Sequence, residues 1–270
     1  MKALIPAAGM GTRFLPNTIA VPKEMLPVAD KPGIQYIVEE GLASGADEVV
    51  IINSRDKKAI EEHVKPHPEL VAHLRAKGKD DLADAVEHAG SLPVSYVYQE
   101  EALGLGHAVR CGAEKTGDEP FFVMLGDVIV PDNQMLIRMR AISEENGGAS
   151  VIAVMPVPED EVNRFGIIAG EEISPTVWRI NALVEKPPVE EAPSNLAIFG
   201  RYLLSPRVME LLEDAQPGAG GEIQLTDALD AVLREEEMYA LVVDPTEGYD
   251  VGTIESWHEA NVAMMARRAK

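Results

Sequence analysis

Two cations lie around a short loop of small residues near the start of the chain. The stretch ALIPAAGMGTRFLPNTIAVPKEML, residues 3–26, places Arg13 in this loop and Lys23 ten residues later. Gly9 and Gly11 permit positive φ and a close approach of the backbone to a ligand. Successive N–H groups in such a turn can bind an anion, arginine binds phosphate through paired hydrogen bonds, and lysine adds a mobile charge. The loop is therefore predicted to hold a polyphosphate.

The two common nucleotide-binding motifs do not explain this loop. A Rossmann dinucleotide fingerprint needs a third glycine, and that position is Phe14. A Walker A loop needs Gly-Lys followed by Ser or Thr, which occurs nowhere in the sequence. Because two glycines are common in tight turns, the residues of the loop alone leave a purely structural turn open as the alternative.

The composition limits the partners of the protein. The 270 residues include 45 acidic and 24 basic side chains, giving a net charge of −21, which disfavours nucleic acids and anionic membranes. The single cysteine, Cys111, excludes an intramolecular disulfide and fits a reducing cytoplasm. No apolar run approaches the roughly 18 residues of a transmembrane helix, and the first apolar run is too short for a secretory signal. We therefore expect a cytoplasmic protein with small-molecule substrates, no nucleic-acid partner and no membrane partner.

The order of predicted elements favours an α/β fold. Up to residue 157 strands alternate with helices, which is typical of a mostly parallel sheet covered on both faces. The predicted strands of this part are 2–6, 48–53, 94–99, 121–127 and 149–157, and its helical stretches are 34–45, 57–64, 69–89, 106–115 and 134–145. Several strands follow within 166–204, and then helices near 206–214, 222–235 and 254–268 flank a strand at 238–244. The pattern predicts one body, with an α/β half followed by an α+β half.

The opening stretch AAGMGTRFLPNTIAVPKEMLPVADKP, residues 7–32, resembles the signature of the sugar-nucleotide pyrophosphorylases, and more narrowly that of their bacterial uridylyltransferase branch. Further matching segments are QEEALGLGHAV (99–109), LGDVIVPD (125–132), LVEKP (183–187), EEAPSNLAIFGRYLL (190–204), PGAGGEIQLTDAL (217–229) and YDVGT (249–253). The resemblance implies the nucleotide-diphospho-sugar transferase fold, a Rossmann-like, mostly parallel sheet flanked by helices. It implies a single domain, 1–270, with a nucleotide-binding half at 1–157 and a smaller α+β sugar-binding half with the C-terminal helices at 158–270.

The resemblance also implies a reaction, in which UTP and α-D-glucose 1-phosphate give UDP-glucose and pyrophosphate. The sugar phosphate would attack the α-phosphorus in line, with Arg13, Lys23 and Lys186 as the catalytic cations, so that charge neutralisation replaces a protein nucleophile. The family's metal-holding aspartates match Asp127 in LGD and Asp250 in YDVG. From the sequence alone each is more often a loop or capping residue. Mg²⁺ is the expected cofactor, since it takes one or two carboxylates plus substrate phosphate oxygens.

The remaining site residues are likewise implied by the resemblance. The sugar phosphate is expected at Lys186, the sugar hydroxyls at Glu185, and a backbone contact to the sugar at Gly166. The base edge is expected at Gln99, whose amide offers both a donor and an acceptor to uracil, and at the backbone of Gly104. The other expected nucleotide contacts lie in the opening loop: Ala8, Gly9, Gly11 and Thr12.

The sequence departs from the uridylyltransferase pattern at Ile19, where the family usually has a lysine. Related thymidylyltransferases have an apolar residue there, and LGD and YDVGTIES also lean towards them, whereas the longer matches favour the uridylyl enzymes. A glucose-1-phosphate thymidylyltransferase is therefore the first alternative. A catalytically weak relative that binds sugar nucleotides and regulates a partner is the second. The resemblance also implies a homo-oligomer, a dimer or a tetramer.

Overall fold

A single large β-sheet passes through the protein. The structure, a computed structural model, describes residues 1–218 and 221–268. The strands in these residues are β1 Lys2–Pro6, β2 Pro27–Val28, β3 Lys31–Pro32, β4 Glu48–Asn53, β5 Val94–Tyr98, β6 Phe121–Met124, β7 Val128–Ile129, β8 Ser150–Pro156, β9 Gly166–Ser174, β10 Val177–Glu185, β11 Leu196–Leu204, β12 Met238–Val242 and β13 Tyr249–Asp250. Nine of these described strands form the large sheet, in the order β5-β4-β1-β6-β11-β8-β12-β10-β9.

The sheet is mostly parallel, as the sequence predicts. The strands β5, β4, β1 and β6 pair in parallel, and β8 pairs in parallel with β12. The strands β11 and β10 pair antiparallel with their neighbours. Within the described residues, seven of the nine strands therefore run in one direction, interrupted by two that run the other way.

Helices cover both faces of this sheet. They are α1 Gly33–Ala43, α2 Lys58–His63, α3 Pro68–Ala76, α4 Asp80–Ala89, α5 Leu105–Cys111, α6 Ala113–Thr116, α7 Gln134–Glu145, α8 Arg207–Glu213, α9 Leu225–Val232 and α10 Ile254–Arg268. One apolar core lies between the sheet and α5, α8 and α9, and the other lies between the sheet and α1 and α7. Strand β6 contributes alternate residues to the two cores, so all four of its residues are buried. A strand covered on both faces is apolar throughout, which explains why the run FFVM predicts it so clearly.

A buried ion pair fixes the centre of the sheet. The guanidinium of Arg201 in β11 donates to both carboxylate oxygens of Glu40 in α1, with Nη2 2.7 Å from Oε2. The same guanidinium donates to the carbonyl of Val128, at 2.7 Å, and both charged side chains are almost fully buried. The ladder between β11 and β8 shifts register here, at Gly200, whose φ is +72°. The pair therefore anchors the turn between β6 and β7.

The structure differs from the predicted elements in several places, and the predicted helix 106–115, for example, is two helices, α5 and α6. Strand β6 ends at Met124, so Asp127 lies in the following turn and not at the strand end. The helical stretch 69–89 is two helices, α3 and α4, separated at Gly78, whose φ is +67°. The predicted helix 222–235 is shorter, since α9 spans Leu225–Val232.

The division of the chain into two halves at residue 157 stays a prediction. Strands from both sides of this residue belong to the same large sheet. No helix in the described part of the chain is both long and apolar enough to span a membrane.

Candidate active site

The loop after β1 turns back on itself through Gly11. Ala7 extends the strand ladder by donating its N–H to the carbonyl of Ile52, at 2.8 Å. Gly11 then has a φ of +65°, and its carbonyl accepts a hydrogen bond from the hydroxyl of Thr18, at 2.8 Å. A Cβ at Gly11 would lie 3.4 Å from the Cβ of Lys23. The left-handed conformation favours a glycine here, and the short distance shows that the loop lies against Lys23.

Lys23 pairs with Asp127 across the edge of the sheet. The ammonium of Lys23 donates to Oδ2 of Asp127 at 2.8 Å, and both side chains are partly buried. Burial alone would raise the pKa of Asp127, but the charges of Lys23 and, more weakly, Arg13 hold that pKa below its usual value. Burial alone would lower the pKa of Lys23, but Asp127 and Glu24 raise it above its usual value. Both groups of the pair are therefore charged at neutral pH.

Asp250 reaches the same place through the short strand β13. Asp250 pairs with Val128 of β7, and its Oδ1 accepts the N–H of Gly252 at 2.6 Å. A Cβ at Gly252 would lie 2.9 Å from that oxygen, 3.4 Å from Oδ2 of Asp127 and 3.6 Å from Nη1 of Arg13. The two predicted metal-holding carboxylates and the predicted phosphate-binding arginine therefore surround one glycine.

The two carboxylates make an acidic site suited to a cation. Burial raises the pKa of Asp250, and the negative charge of Asp127 raises it further. A divalent ion would relieve this repulsion. The described residues contain no group of three or more His, Cys, Asp or Glu arranged to hold a metal. Two carboxylates match the donor set of Mg²⁺, which takes its other ligands from water and substrate phosphate.

Two residues that the sequence analysis missed support the lysine. The ammonium of Lys57 donates to both oxygens of Glu24, at 2.9 and 3.1 Å, and to the carbonyl of Ala7 at 2.6 Å. Glu24 is buried and directly follows Lys23. This ion pair therefore ties the start of the loop to the short 3₁₀ helix Lys23–Met25, which contains the lysine predicted to be catalytic. No sequence motif identifies Lys57, which becomes a partner of Glu24 only through the fold.

A cavity of about 330 Å³ opens beside these charges. Ala8, Gly9, Lys23, Gln99 and Gly104 all line it, together with Asp127. A smaller cavity of about 180 Å³, which shares Lys23 and Asp127, is lined by Gly11, Thr12 and Arg13. Ala8, Gln99 and Asp127 follow the ends of parallel strands, and the carboxyl edge of such a sheet is where ligands bind. The structure therefore brings together all the residues that the sequence analysis assigned to the nucleotide.

Gly104 allows two loops to meet at this cavity. Its φ is +104°, and a Cβ there would lie 2.7 Å from the carbonyl oxygen of Ile223. Around it, Ile223 donates its N–H to the carbonyl of Leu103 at 2.7 Å, and Gly106 donates to the carbonyl of Ile223 at 2.8 Å. Any other residue at position 104 would push these loops apart. In the matching segment PGAGGEIQLTDAL, Ala219 and Gly220 lie outside the described residues.

The predicted sugar-binding residues Gly166, Glu185 and Lys186 form a second group, which we call the sugar wall. The residues that line the two cavities form the nucleotide wall. Gly166 pairs with Glu185 across β9 and β10, and a Cβ at Gly166 would lie 3.2 Å from Oε2 of Glu185. That oxygen accepts a hydrogen bond from the hydroxyl of Thr226 at 2.7 Å, a contact the sequence analysis missed. The ammonium of Lys186 lies 3.1 Å from Oε1 of Glu185, but its side chain is 55% exposed, and its φ is +45°. The carboxylate is thus held and the lysine is exposed.

The two walls are connected through Tyr202 and the start of α9. Burial raises the pKa of the Tyr202 hydroxyl. The negative charges of Glu185, among the sugar-binding residues, and of Asp127, among the nucleotide-binding residues, raise this pKa further. Glu222 lines the larger cavity, and Thr226, four residues later, binds Glu185. The base cavity and the sugar-binding residues are therefore neighbours.

The position that departs from the family pattern lies away from these contacts. Ile19 is 77% exposed on the outer part of the opening loop. Arg13, in the same loop, is also exposed but lies near Gly252. The apolar residue at position 19 therefore leaves the charged cluster of Lys23, Asp127 and Asp250 in place.

An α/β sheet with a glycine-containing loop after its first strand, and with two carboxylates beside that loop at the carboxyl edge, is typical of nucleotide-binding proteins that carry out phosphoryl chemistry. The chain belongs to the Nucleotidyl transferase family, which matches it over residues 2–267. It is 47% identical over 252 residues to UTP–glucose-1-phosphate uridylyltransferase 1 of Staphylococcus saprophyticus, covering 93% of this chain and 88% of that protein.

Two solved structures are similar over nearly the whole chain. A UDP-glucose pyrophosphorylase complexed with UDP-glucose superposes with a TM-score of 0.88 at 37% identity, covering 98% of each chain. A UTP-bound UGPase from Acinetobacter baumannii superposes with a TM-score of 0.88 at 34% identity, covering 97% of this chain and 92% of the other. The expected family and fold are confirmed, and the uridine nucleotides of these relatives favour the uridylyl branch over the thymidylyl alternative.

Proposed function

We propose that this protein makes UDP-glucose and pyrophosphate from UTP and α-D-glucose 1-phosphate. The main support is the convergence of Arg13, Lys23, Asp127 and Asp250 beside a cavity that contains Gln99, in a chain so similar to uridylyltransferases. A cytoplasmic homo-oligomer, a dimer or a tetramer, is part of this proposal. Light scattering on the purified protein would determine its assembly.

The nucleotide would occupy the two adjoining cavities. Uracil fits the larger one, beside Gln99 and Gly104, and the triphosphate fits the loop from Gly9 to Thr12. Lys23 then lies where the two cavities meet, with its charge maintained by Asp127. Because this chain is so acidic overall, a triphosphate needs such a local group of cations and N–H donors.

Glucose 1-phosphate would bind at the sugar wall. The carboxylate of Glu185, held by Thr226, can accept hydrogen bonds from two sugar hydroxyls. Gly166 leaves room for the sugar next to that carboxylate, and Lys186 can pair with the phosphate. An oxygen of this phosphate then attacks the α-phosphorus in line, the new phosphorus–oxygen bond forms as the bond to the β-phosphate breaks, and pyrophosphate leaves.

Members of this family generally use a divalent metal ion, and Asp127 and Asp250 are the residues that would hold it here. We propose Mg²⁺, which would neutralise phosphate charge as it develops. The chain itself orients the reactants through Arg13, Lys23 and Lys186. No side chain needs to become a nucleophile.

A coupled assay of pyrophosphate release tests this function directly. Purified protein is given glucose 1-phosphate with UTP, dTTP, CTP or ATP in turn, at one Mg²⁺ concentration. We expect the highest kcat/KM with UTP. An equal or higher value with dTTP would establish the thymidylyl alternative, and no release with any nucleotide would support the catalytically weak relative.

A further inference from the structure

The amide nitrogen of Gln99 has two hydrogen-bond partners inside the protein. Its Nε2 donates to the carbonyl oxygen of Gly104 at 3.2 Å and lies 2.9 Å from Nδ1 of His107 in α5. An amide nitrogen has two hydrogens, so these two partners use both of them. Gln99 is only 8% exposed and lines the larger cavity.

The backbone carbonyl fixes which way round the amide lies. A carbonyl oxygen can only accept, so the NH₂ group of Gln99, and not its Oε1, must face Gly104. The ring nitrogen on the other side must then accept as well, which requires a neutral His107 with its proton on Nε2. Burial lowers the pKa of His107, as does Arg110 on the same helix, against a smaller opposing effect of Glu101. The neutral form is therefore the one present at pH 7.

The amide consequently offers the cavity only one kind of group. No donor within residues 1–218 or 221–268 bonds Oε1 of Gln99, whereas both hydrogens of Nε2 are in use. The sequence analysis expected a donor and an acceptor at the base edge. The structure reduces this pair to a single acceptor.

We propose that His107 is a positioning residue that holds the carbonyl oxygen of Gln99 towards the base, so that the site selects pyrimidines with a hydrogen on N3. This inference rests on the proposed use of UTP. Uracil and thymine have N3–H and can donate to Oε1. Cytosine has an unprotonated N3, so two acceptors would face each other and both would lose their hydrogen bonds.

His107 matters because Gly104 alone is a weaker restraint. If the amide rotated by half a turn, Oε1 would face the carbonyl of Gly104 and, while the proton of His107 stays on Nε2, the unprotonated Nδ1 of His107 as well, and both contacts would be repulsive. Without the histidine only one of these contacts would oppose the rotation. The rotated amide presents NH₂ to the cavity and would accommodate cytosine.

Two substitutions separate this role from a structural one. His107→Leu keeps a side chain branched at Cγ but removes the acceptor. His107→Asn places Oδ1 as many bonds from the main chain as Nδ1 of histidine, so it keeps an acceptor and serves as the matched control. The measurement is kcat/KM for UTP, CTP and dTTP at one concentration of glucose 1-phosphate, with a thermal melt of each variant.

We expect His107→Leu to lower the UTP/CTP ratio of kcat/KM about 5- to 10-fold, on the scale of one hydrogen bond. The UTP/dTTP ratio should not change, because both bases have N3–H. His107→Asn should keep the UTP/CTP ratio within about twofold of the wild type. Equal losses for UTP and CTP in His107→Leu would overturn the proposal, as would a wild-type enzyme that uses CTP as well as UTP. A wild type that does not use UTP at all would instead refute the proposed function.

The wild-type protein provides a second test that does not depend on any variant folding. Long-range ¹H–¹⁵N spectra of histidine-labelled protein at neutral pH distinguish the two neutral tautomers. We expect the His107 resonances to show an unprotonated Nδ1 and a protonated Nε2. A proton on Nδ1 would contradict the arrangement, because Nδ1 could then not accept from Gln99.

Discussion

The nucleotide wall and the sugar wall each contain a lysine paired with a carboxylate, but only the lysine of the nucleotide wall is largely shielded from solvent. On the nucleotide wall, Lys23 lies 2.8 Å from Asp127, and its side chain is 21% exposed. On the sugar wall, Lys186 lies 3.1 Å from Glu185, and its side chain is 55% exposed. The cation of the nucleotide wall is thus partly buried against its carboxylate, whereas the cation of the sugar wall is exposed to solvent.

The difference has its origin in what lies beneath each lysine. The residue after Lys23 is Glu24, which Lys57 holds in a buried ion pair that also reaches the opening loop. On the other wall, Thr226 holds Glu185 but not the lysine. Preorganised charge is most valuable where charge develops in the transition state. This difference supports the proposal that the nucleotide wall stabilises the transition state and that Lys186 captures the sugar phosphate.

The largest effect is expected from Asp127→Asn. If Asp127 and Asp250 share a divalent ion, this change should lower kcat about 10²- to 10³-fold, as when one electrostatic stabiliser is removed. EDTA should abolish the activity of the wild type, and Mg²⁺ should restore it. The exposed Asp118 provides the matched control, since Asp118→Asn should leave kcat unchanged. Full activity of Asp127→Asn in metal-free buffer would contradict the assignment.

Removing Lys57, which holds Glu24 next to Lys23, should lower the stability of the protein strongly. Lys57→Met leaves the carboxylate of Glu24 buried without its partner, which we expect to lower the free energy of unfolding by about 3 kcal/mol. The double variant Lys57→Met with Glu24→Gln should recover part of this loss, because the unpaired charge is gone. Urea denaturation of the wild type and of the two variants measures both effects. Equal stability of Lys57→Met and the wild type would show that the buried pair does not organise this wall.

The base cavity is lined in part by the same residues, Lys23 and Asp127, and its preference for uracil over thymine should be limited. Uracil and thymine share the edge that Gln99 contacts and differ by one methyl group, which is worth about 1–3 kcal/mol. We therefore expect kcat/KM for UTP to exceed that for dTTP about 10- to 200-fold. A dTTP value equal to or above that of UTP would replace the uridylyl function with the thymidylyl one.

The smallest effect is expected at Lys186, the exposed lysine of the sugar wall. Lys186→Ala should weaken binding of glucose 1-phosphate about tenfold, the scale of one charge-assisted hydrogen bond, and leave UTP binding unchanged. Lys186→Arg, which keeps the charge, should lose less. Calorimetric titration of each substrate alone measures both. A loss confined to UTP, or equal for the two ligands, would show that Lys186 does not belong to the sugar wall.

The fold could be predicted where burial alone determines the pattern. The runs KALIP and FFVM are rich in apolar residues because helices cover both faces of their strands. The hydrophobic pattern therefore predicts where these two strands lie in the sequence. The place of Asp127 could not be predicted in this way. The turn that contains it depends on Arg201, 74 residues later, and on Asp250 in β13, so its position is a consequence of long-range pairing.

The site shows the same limit. The glycines and cations of the opening loop were visible as a local pattern, and family resemblance indicated the two aspartates. The residues that hold others in place had no predicted role: Lys57 lies outside every matching segment, whereas His107 and Thr226 lie within matching segments that assign them no function. Each acts on a partner that the fold brings to it, at Glu24, Gln99 and Glu185. Outside the site, the break between α3 and α4 did have a local signal, the glycine at position 78, which the helical pattern around it obscured.

The central claim is that this cleft transfers a uridylyl group from UTP to glucose 1-phosphate. Phosphorus NMR of the purified protein with UTP, glucose 1-phosphate and Mg²⁺ tests it most directly, because substrates and products give separate resonances in one spectrum. We expect UDP-glucose and pyrophosphate to appear in equal amounts as UTP and glucose 1-phosphate disappear, and added pyrophosphate to reverse the change. Loss of UTP to UDP or UMP without UDP-glucose, or no turnover at all, would contradict the account.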